Sequence, residues 1–506
     1  MSDTIRSSRA VESGSGHPAA ATSAARPNAR YWRIASRRLR RFIPLVLLLA
    51  AGAPALTQHV LAKPPTATVD KAPAVIGVRD MQLSADYWIK LQDKPNRVIL
   101  DEQAIAAQNA RLKSSDPSVH DIEGLPSVFT ASQVRDWVEK ISTTPKRTLF
   151  DESGSEVSTS ALSAIVGNTA LDAIAAQTTA RHGLVVHRAD LRTFPTRMRV
   201  FSTKGDTDID RFQESALFPG TPVVVIHESR DGEWLFVISS LYAAWIEKKY
   251  VALGESAAVF GYGRKSPSLI VTGATARTVY TPEQPQVSEL QLDMGVRVPL
   301  LAGWPANQAV NGQHPYTSHV IELPIRREDG SLALVPALLP RTADVATEYL
   351  SLTPANLLKQ SFKFLGERYG WGHAYNTRDC SGFVSEVYRS FGVQLPRNTR
   401  DQGVSPALNR IAFSESDSRE KRQAVLKTLQ VGDLIYIPGH VMMVIGQENG
   451  DTYLIHDTTG ITYRSRDGEL VRAPLNSVAV TPLQPLLANG EQTFVDRIYS
   501  IQRIRP

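Results

Sequence analysis

Residues 369–384 decide the architecture: Tyr369-Gly370-Trp371-Gly372-His373-Ala374-Tyr375-Asn376-Thr377-Arg378, followed by Asp379-Cys380-Ser381-Gly382-Phe383-Val384. A glycine-broken loop delivers the chain's one cysteine to the start of a helix. Phe383, Val384, Val387, Tyr388 and Phe391 then recur at helical spacing as far as Gly392. Unpaired first-turn N–H groups and the helix dipole favour a thiolate there, and such placements draw a thiol from about 8.5 into a range of roughly 3.5–7.5. A lone thiol excludes an intramolecular disulfide. As a nucleophile it calls for a base, and the base for an orienting partner. Pro438-Gly439-His440 sets a histidine at a strand start, and His456 lies on the following strand ahead of Asp457. A hairpin between the two makes a Cys–His–His arrangement available. Its register matters. A two-residue turn, Asn449-Gly450, pairs His456 with Met443 and sends the imidazoles to opposite faces. A three-residue loop from Glu448 to Gly450 pairs His456 with Met442 and puts both on one face, so a catalytic reading prefers the longer loop.

Working outward, Thr353 and Pro354 open a helix carrying Leu357, Leu358, Phe362 and Leu365. Strands are expected from Asp433 to Ile437, Val441 to Ile445, Thr452 to Ile455 and Ile461 to Arg464. Residues 346–506 thus read as an α+β domain, helices packed on an antiparallel sheet. Upstream the texture changes to short β-branched runs separated by turns, as in Thr221 to Glu228, Trp234 to Ile238, Ala244 to Ile246, Leu269 to Thr272 and Val296 to Val298. These predict two small all-β barrels, over 184–254 and 255–320, with 321–345 as a hairpin linker turning at Glu328-Asp329-Gly330. Residues 63–183 carry helical patterns over 101–112 and 132–141 and no visible chemistry, which predicts a stabilising scaffold.

With 506 residues, 42% hydrophobic and 21% charged, the chain is a multidomain globular protein rather than a disordered or multi-span one. Its net charge of +6 is confined to the leader, where nine arginines within residues 1–62 face only Asp3 and Glu12 and leave −1 for the rest. A body without excess positive charge lacks the footprint of a nucleic-acid binder. Arg37, Arg38, Arg40 and Arg41 precede an apolar run from Phe42 to Leu56 and small residues up to Ala62, the pattern of a secretory signal. Export to the periplasm follows as an expectation, with an uncleaved inner-membrane anchor as the alternative. Membrane contact is expected only through that leader.

Tyr369-Gly370-Trp371-Gly372, Asp379-Cys380-Ser381-Gly382-Phe383-Val384, Gly432-Asp433-Leu434 and Gly439-His440-Val441 together resemble the NlpC-type, papain-like cell-wall cysteine endopeptidases over residues of about 350–490. Phe212-Gln213-Glu214-Ser215, Pro219-Gly220-Thr221-Pro222 and Tyr242-Ala243-Ala244-Trp245 resemble the bacterial SH3-like domains that precede this peptidase. The resemblance implies Cys380 as nucleophile, His440 as general base and His456 as its orienting group. It also implies that Asp379, Ser381, Tyr369 and the barrel residue Tyr242 hold the free amino end of a peptidoglycan stem peptide. The implied reaction is hydrolysis of the γ-D-glutamyl–diaminopimelate bond behind a free L-Ala, with no cofactor and no metal. A Cys–His amidase or acyltransferase acting on cell-wall or lipid amides, and a non-catalytic muropeptide-binding module, are the competing readings. Two positions depart from the family pattern: His373 stands where Gly is common, and Ala244 replaces Gly before Trp245.

Overall fold

The computed structural model describes residues 75–505, so the leader expected over residues 1–62 lies outside the described residues. Among the described residues no helix is long and apolar enough to cross a membrane.

The C-terminal third is a six-stranded antiparallel sheet in the order Asn409–Ala412, Ser500–Arg503, Leu434–Ile437, His440–Glu448, Asp451–Thr458, Ser477–Pro482. Helices Pro354–Phe362 and Cys380–Arg389 cover one face, where Phe383, Val384 and Val387 pack with Leu434, Tyr436, Met443 and Ile455. Ile435, Met442, Val444 and Leu454 on the other face pack under Leu483, Leu486, Phe494 and Val495. Alternation along each strand thus feeds two apolar cores. Thr353 caps the first helix through the Asn356 N–H at 3.2 Å, with Pro354 at its first position. The strand expected over 461–464 forms a separate two-stranded hairpin with Leu470–Ala473 instead of extending the main sheet.

The hairpin that carries His440 and His456 resolves its register by a third route. Glu448 pairs with Asp451 across a two-residue turn whose central residues, Asn449 and Gly450, both have positive φ (53° and 87°). Between Val444 and Gly446 the pairing then skips Ile445, so Met443 faces Ile455. Continued by one step, this brings His456 opposite Met442. The longer loop expected from sequence is absent, and the bulge does its work. The bulge has a neighbour: a Cβ on Gly446 would lie 2.8 Å from the Trp88 ring. Trp88, fully buried on helix Ala85–Lys90, also stacks on Tyr453 at 4.9 Å and donates its indole N–H to the Gln82 carbonyl at 2.8 Å.

The scaffold region therefore divides. Trp88 and Ile105 join the core of the C-terminal domain. Phe129, Val134 and Val138, the last two on helix Ala131–Ile141, pack against Trp234, Phe236 and Trp245 of the first β unit. That unit is one antiparallel sheet of seven strands, running in linear order from edge strand Gln213–Leu217 to edge strand Val251–Gly254. Beyond it lie three smaller sheets that share one core of Leu269, Val271, Val298, Ile321, Leu323 and Leu339. The hairpin Ser318–Arg326/Leu332–Pro340 is thus a wall of that core and not the linker expected over 321–345. Pro336 and Pro340, which suggested a linker, sit in a two-stranded sheet, where the missing N–H leaves no ladder unpaired on a further side.

Candidate active site

Asp379 caps the Cys380–Arg389 helix, its Oδ1 accepting from the Gly382 N–H at 2.8 Å. Cys380 is therefore the first helical residue, as its spacing predicts. The thiol is 5% exposed; its Sγ lies 3.5 Å from Thr399 Oγ1, and the backbone N–H of Val441 donates to it. Burial and the adjacent Asp379 carboxylate push this thiol up to about 12. The helix-depressed thiolate expected from position alone is thus not the resting state, because desolvation of the charged form outweighs the first-turn donors.

His440 follows Gly439 (φ 81°) at the start of its strand, next to the Val441 N–H that addresses the thiol. Its Nε2 lies 2.8 Å from His456 Nδ1, and His456 Nε2 lies 2.9 Å from Thr481 Oγ1. Burial lowers His440 to about 4 and holds His456 well below its ordinary value, so both rings are neutral near pH 7. The line can run in either direction, since the Thr481 hydroxyl donates or accepts. In the tautomer where His456 donates from Nε2 to Thr481 and His440 from Nε2 to His456, His440 Nδ1 keeps a free lone pair. Asp457 alternates to the other face, fully buried, with no partner for either oxygen. Burial raises its carboxyl well above the usual range, which favours the protonated form.

Around the thiol the structure brings Asp379, Ser381 and Tyr369 together and adds a residue that sequence reasoning missed. Arg397 lies buried with its Nε donating to Ser215 Oγ at 2.7 Å and its Nη1 to Ser381 Oγ at 2.9 Å. Its Nη2 donates to Asp379 Oδ2 at 2.9 Å and to His373 Nδ1 at 2.8 Å. Asp379 also accepts from the Gly372 N–H at 3.0 Å, and the Arg397 charge holds its carboxyl well below the usual range. It is thus an anchored cap already paired with a cation, not an acceptor waiting for an ammonium group. Tyr369 is 8% exposed, and burial and the nearby thiol push its hydroxyl up.

Tyr242 stands apart from that cluster. Its hydroxyl donates to Glu214 Oε2 at 2.5 Å, and Glu214 Oε1 accepts from Thr193 Oγ1 at 2.5 Å. No cation pairs with Glu214 among the described residues. Glu214 and Tyr242 line a cavity of about 500 Å³ with Trp137, Lys140, Asn398 and Asp401. Glu214 sits within the quoted 212–215 run, so its signal was present. Arg397, Thr399 and Thr481 carried none, since only tertiary packing brings them to the site. Among the described residues no group of three or more His, Cys, Asp or Glu side chains is arranged to hold a metal ion.

Comparison with known proteins accords with this layout. Residues 199–247 match the SH3 domain family of SH3b1 type, and residues 366–479 match the NlpC/P60 family. A γ-D-glutamyl-L-lysine dipeptidyl-peptidase of Bacillus cereus is 26% identical over 266 residues, covering 48% of this chain and 67% of that protein. The solved structure of an NlpC/P60 endopeptidase from Photobacterium damselae subsp. piscicida superposes with a TM-score of 0.64 at 18% identity, covering 83% of this chain and 96% of the other. The chain therefore carries an SH3b1-type domain over residues 199–247 and an NlpC/P60 domain over residues 366–479.

Proposed function

We propose that the chain hydrolyses the γ-D-glutamyl–diamino acid bond of peptidoglycan stem peptides, preferring those with a free N-terminal L-Ala. The observation that carries this reading is the Thr481–His456–His440 hydrogen-bonded line, whose last member adjoins Val441 of the core that holds the one thiol; a Glu214–Tyr242 pair with no cation partner among the described residues accompanies it. Neutral thiol and neutral imidazole imply general-base attack. As Cys380 Sγ bonds the carbonyl carbon, His440 Nδ1 takes its proton, and the imidazolium is stabilised by donating to His456 Nδ1. Catalytic hydrogen bonds tighten in the substrate complex, consistent with a resting thiol that bonds Thr399 and Val441. Gly382's N–H is taken by Asp379, which leaves the first-turn N–H groups of Cys380 and Ser381 for the oxyanion. Collapse expels the diamino acid amine, which takes the proton from His440, and water then cleaves the thioester with His440 again as base.

In this reading Glu214, with Tyr242, receives the ammonium of L-Ala, a role for which a carboxylate without a cation is suited. The leader pattern supports a periplasmic location for this activity. The test is mass spectrometry of L-Ala-γ-D-Glu-L-Lys and its diaminopimelate counterpart after incubation with the purified chain. Release of L-Ala-γ-D-Glu by the wild type, and none by Cys380→Ala, is expected. Both peptides surviving intact with the wild type would sink the assignment.

A further inference from the structure

His373, the departure from the family pattern, is buried. Its Nδ1 accepts from Arg397 Nη2 at 2.8 Å, and its Nε2 lies 3.2 Å from Glu386 Oε1. Since Arg397 can only donate, the ring proton sits on Nε2 and goes to Glu386. Burial and the Arg397 charge hold the ring neutral. The ring also presses on the first turn of the nucleophile helix: a Cβ on Gly382 would lie 2.6 Å from its Cε1.

The backbone reaches this place at a cost. His373 has φ 64°, and Gly372, Tyr375 and Asn376 share the left-handed region (58°, 60° and 59°). Non-glycine residues stay there only when their surroundings over-determine them. The surroundings come from the first β unit. Gln213 Nε2 donates to the Gly372 carbonyl at 2.8 Å, and Arg188 Nη1 to the His373 carbonyl at 2.9 Å. Arg188 Nη2 donates to the Thr377 carbonyl at 2.7 Å, and Trp371 Nε1 to the Gln213 carbonyl at 3.0 Å.

Arg397 is the tie between the two halves of the proposed site. It holds Ser215, next to Glu214, on one side, and Asp379 and Ser381, which flank the thiol, on the other. A guanidinium has five N–H groups. With two contacts to Asp379 and one each to Ser215, Ser381 and His373, all five are used. Remove the His373 acceptor and one N–H loses its partner, freeing the fork to turn.

We propose that His373 is a positioning residue that sets the distance between the amine-receiving pair Glu214–Tyr242 and the Cys380 thiol by locking Arg397. The proposal rests on the peptidase reading above. It implies a separation of effects: binding of the free amino end depends on His373, whereas the reactivity of the thiol itself does not.

Three readouts test it on the full chain: KM for L-Ala-γ-D-Glu-L-Lys, the ratio of kcat/KM for that peptide to its N-acetyl form, and the rate of Cys380 alkylation by iodoacetamide. His373→Gly relieves the backbone and removes the acceptor. It should raise KM by roughly tenfold or more, the loss expected for a charge-assisted hydrogen bond. It should also shrink the free-to-acetyl ratio, with alkylation within about twofold of wild type on the same scale. His373→Gln supplies an amide oxygen for Arg397 and an N–H for Glu386, and should restore most of both losses. A folded Gly variant, judged by its melting curve, with wild-type KM and ratio would overturn the proposal. So would equal impairment of the Gly and Gln variants, which would reduce the ring to a space filler. A wild type that cleaves neither peptide would remove the peptidase reading and this inference together, whereas cleavage by the wild type with an indifferent Gly variant would remove the inference alone.

Discussion

In the proposed mechanism Cys380 and His440 both start neutral, so the groups hydrogen-bonded behind His440 should decide the rate. His440→Ala should abolish cleavage to the level of Cys380→Ala, a fall of roughly 10²–10⁴-fold or more in kcat. His456→Ala leaves the base in place without its partner and should retain measurable turnover, and Thr481→Val, one bond further out, should cost only about 2- to 10-fold. Steady-state kinetics of the series would show this gradient; a Thr481→Val enzyme as dead as His456→Ala would contradict it. Asp457 makes a different forecast. A carboxyl whose folded value is raised binds its proton more tightly folded than unfolded, so it destabilises increasingly as pH rises above the unfolded value of about 3.9. Asp457→Asn should therefore raise the melting temperature at pH 7–8, and a lower one would mean that an unseen donor serves the carboxylate. At this scale the sequence was readable where chemistry is local. Cys380, His440 and His456 announce themselves by helix start, strand start and hairpin. Arg397 and Thr481 do not, because a buried arginine and a strand threonine look like any others until the fold gives them partners.

Between the elements, the register of the two histidines depends on Trp88. A bulge in His440–Glu448 sits where Gly446 has no side chain and the indole fills the space. Truncating a fully buried Trp to Ala typically costs 3–5 kcal/mol, or about that order here. Trp88→Ala should accordingly lower stability. It should also lower activity beyond what the remaining folded fraction accounts for, since the strand carrying His440 loses its backing. Full specific activity in the folded fraction would show that the bulge holds without it. Sequence reasoning found both strands and the need for both rings on one face, but chose the turn as the place to adjust register. Gly446, an isolated glycine inside the strand, is the one local sign of a bulge; the indole that fills the space beside it lies far away in the sequence, at Trp88. The hairpin at 318–340 was misjudged for a related reason: its prolines speak locally, whereas its membership of the second β core shows only in packing.

Across the described molecule, His373 and His456 are buried, His440 is half-buried, and all three are neutral near pH 7. Each has a folded value below the unfolded one of about 6.5, so the unfolded chain binds more protons below that pH. Stability should fall as pH drops from about 6.5 towards 4, with His440 alone contributing on the order of 2–3 kcal/mol, allowing for its partly exposed ring. Urea midpoints at pH 7, 5.5 and 4.5 would register the decline, and His440→Gln should flatten it; a constant midpoint over that range would falsify the neutral assignment. The charged cluster that includes one of these rings, His373, ties both β units to the helix that Cys380 starts. The SH3b1-type unit is for that reason bonded directly to the loop and the arginine that surround Cys380, and in the proposed reading it is part of the site's foundation.

Ile445 is the one residue in the catalytic hairpin with no cross-strand partner between Val444 and Gly446. It is a spare link. Removing it leaves Val444 facing Leu454 and Gly446 facing Tyr453 as before, now as an unbroken ladder, so the histidines keep their common face. The strand can absorb a shortening by one residue at that point and lose only the apolar burial of one side chain. An added residue finds no such reserve. In the lineage of this domain, length change in the hairpin should run asymmetrically, with deletions near 445 compatible with activity and insertions not.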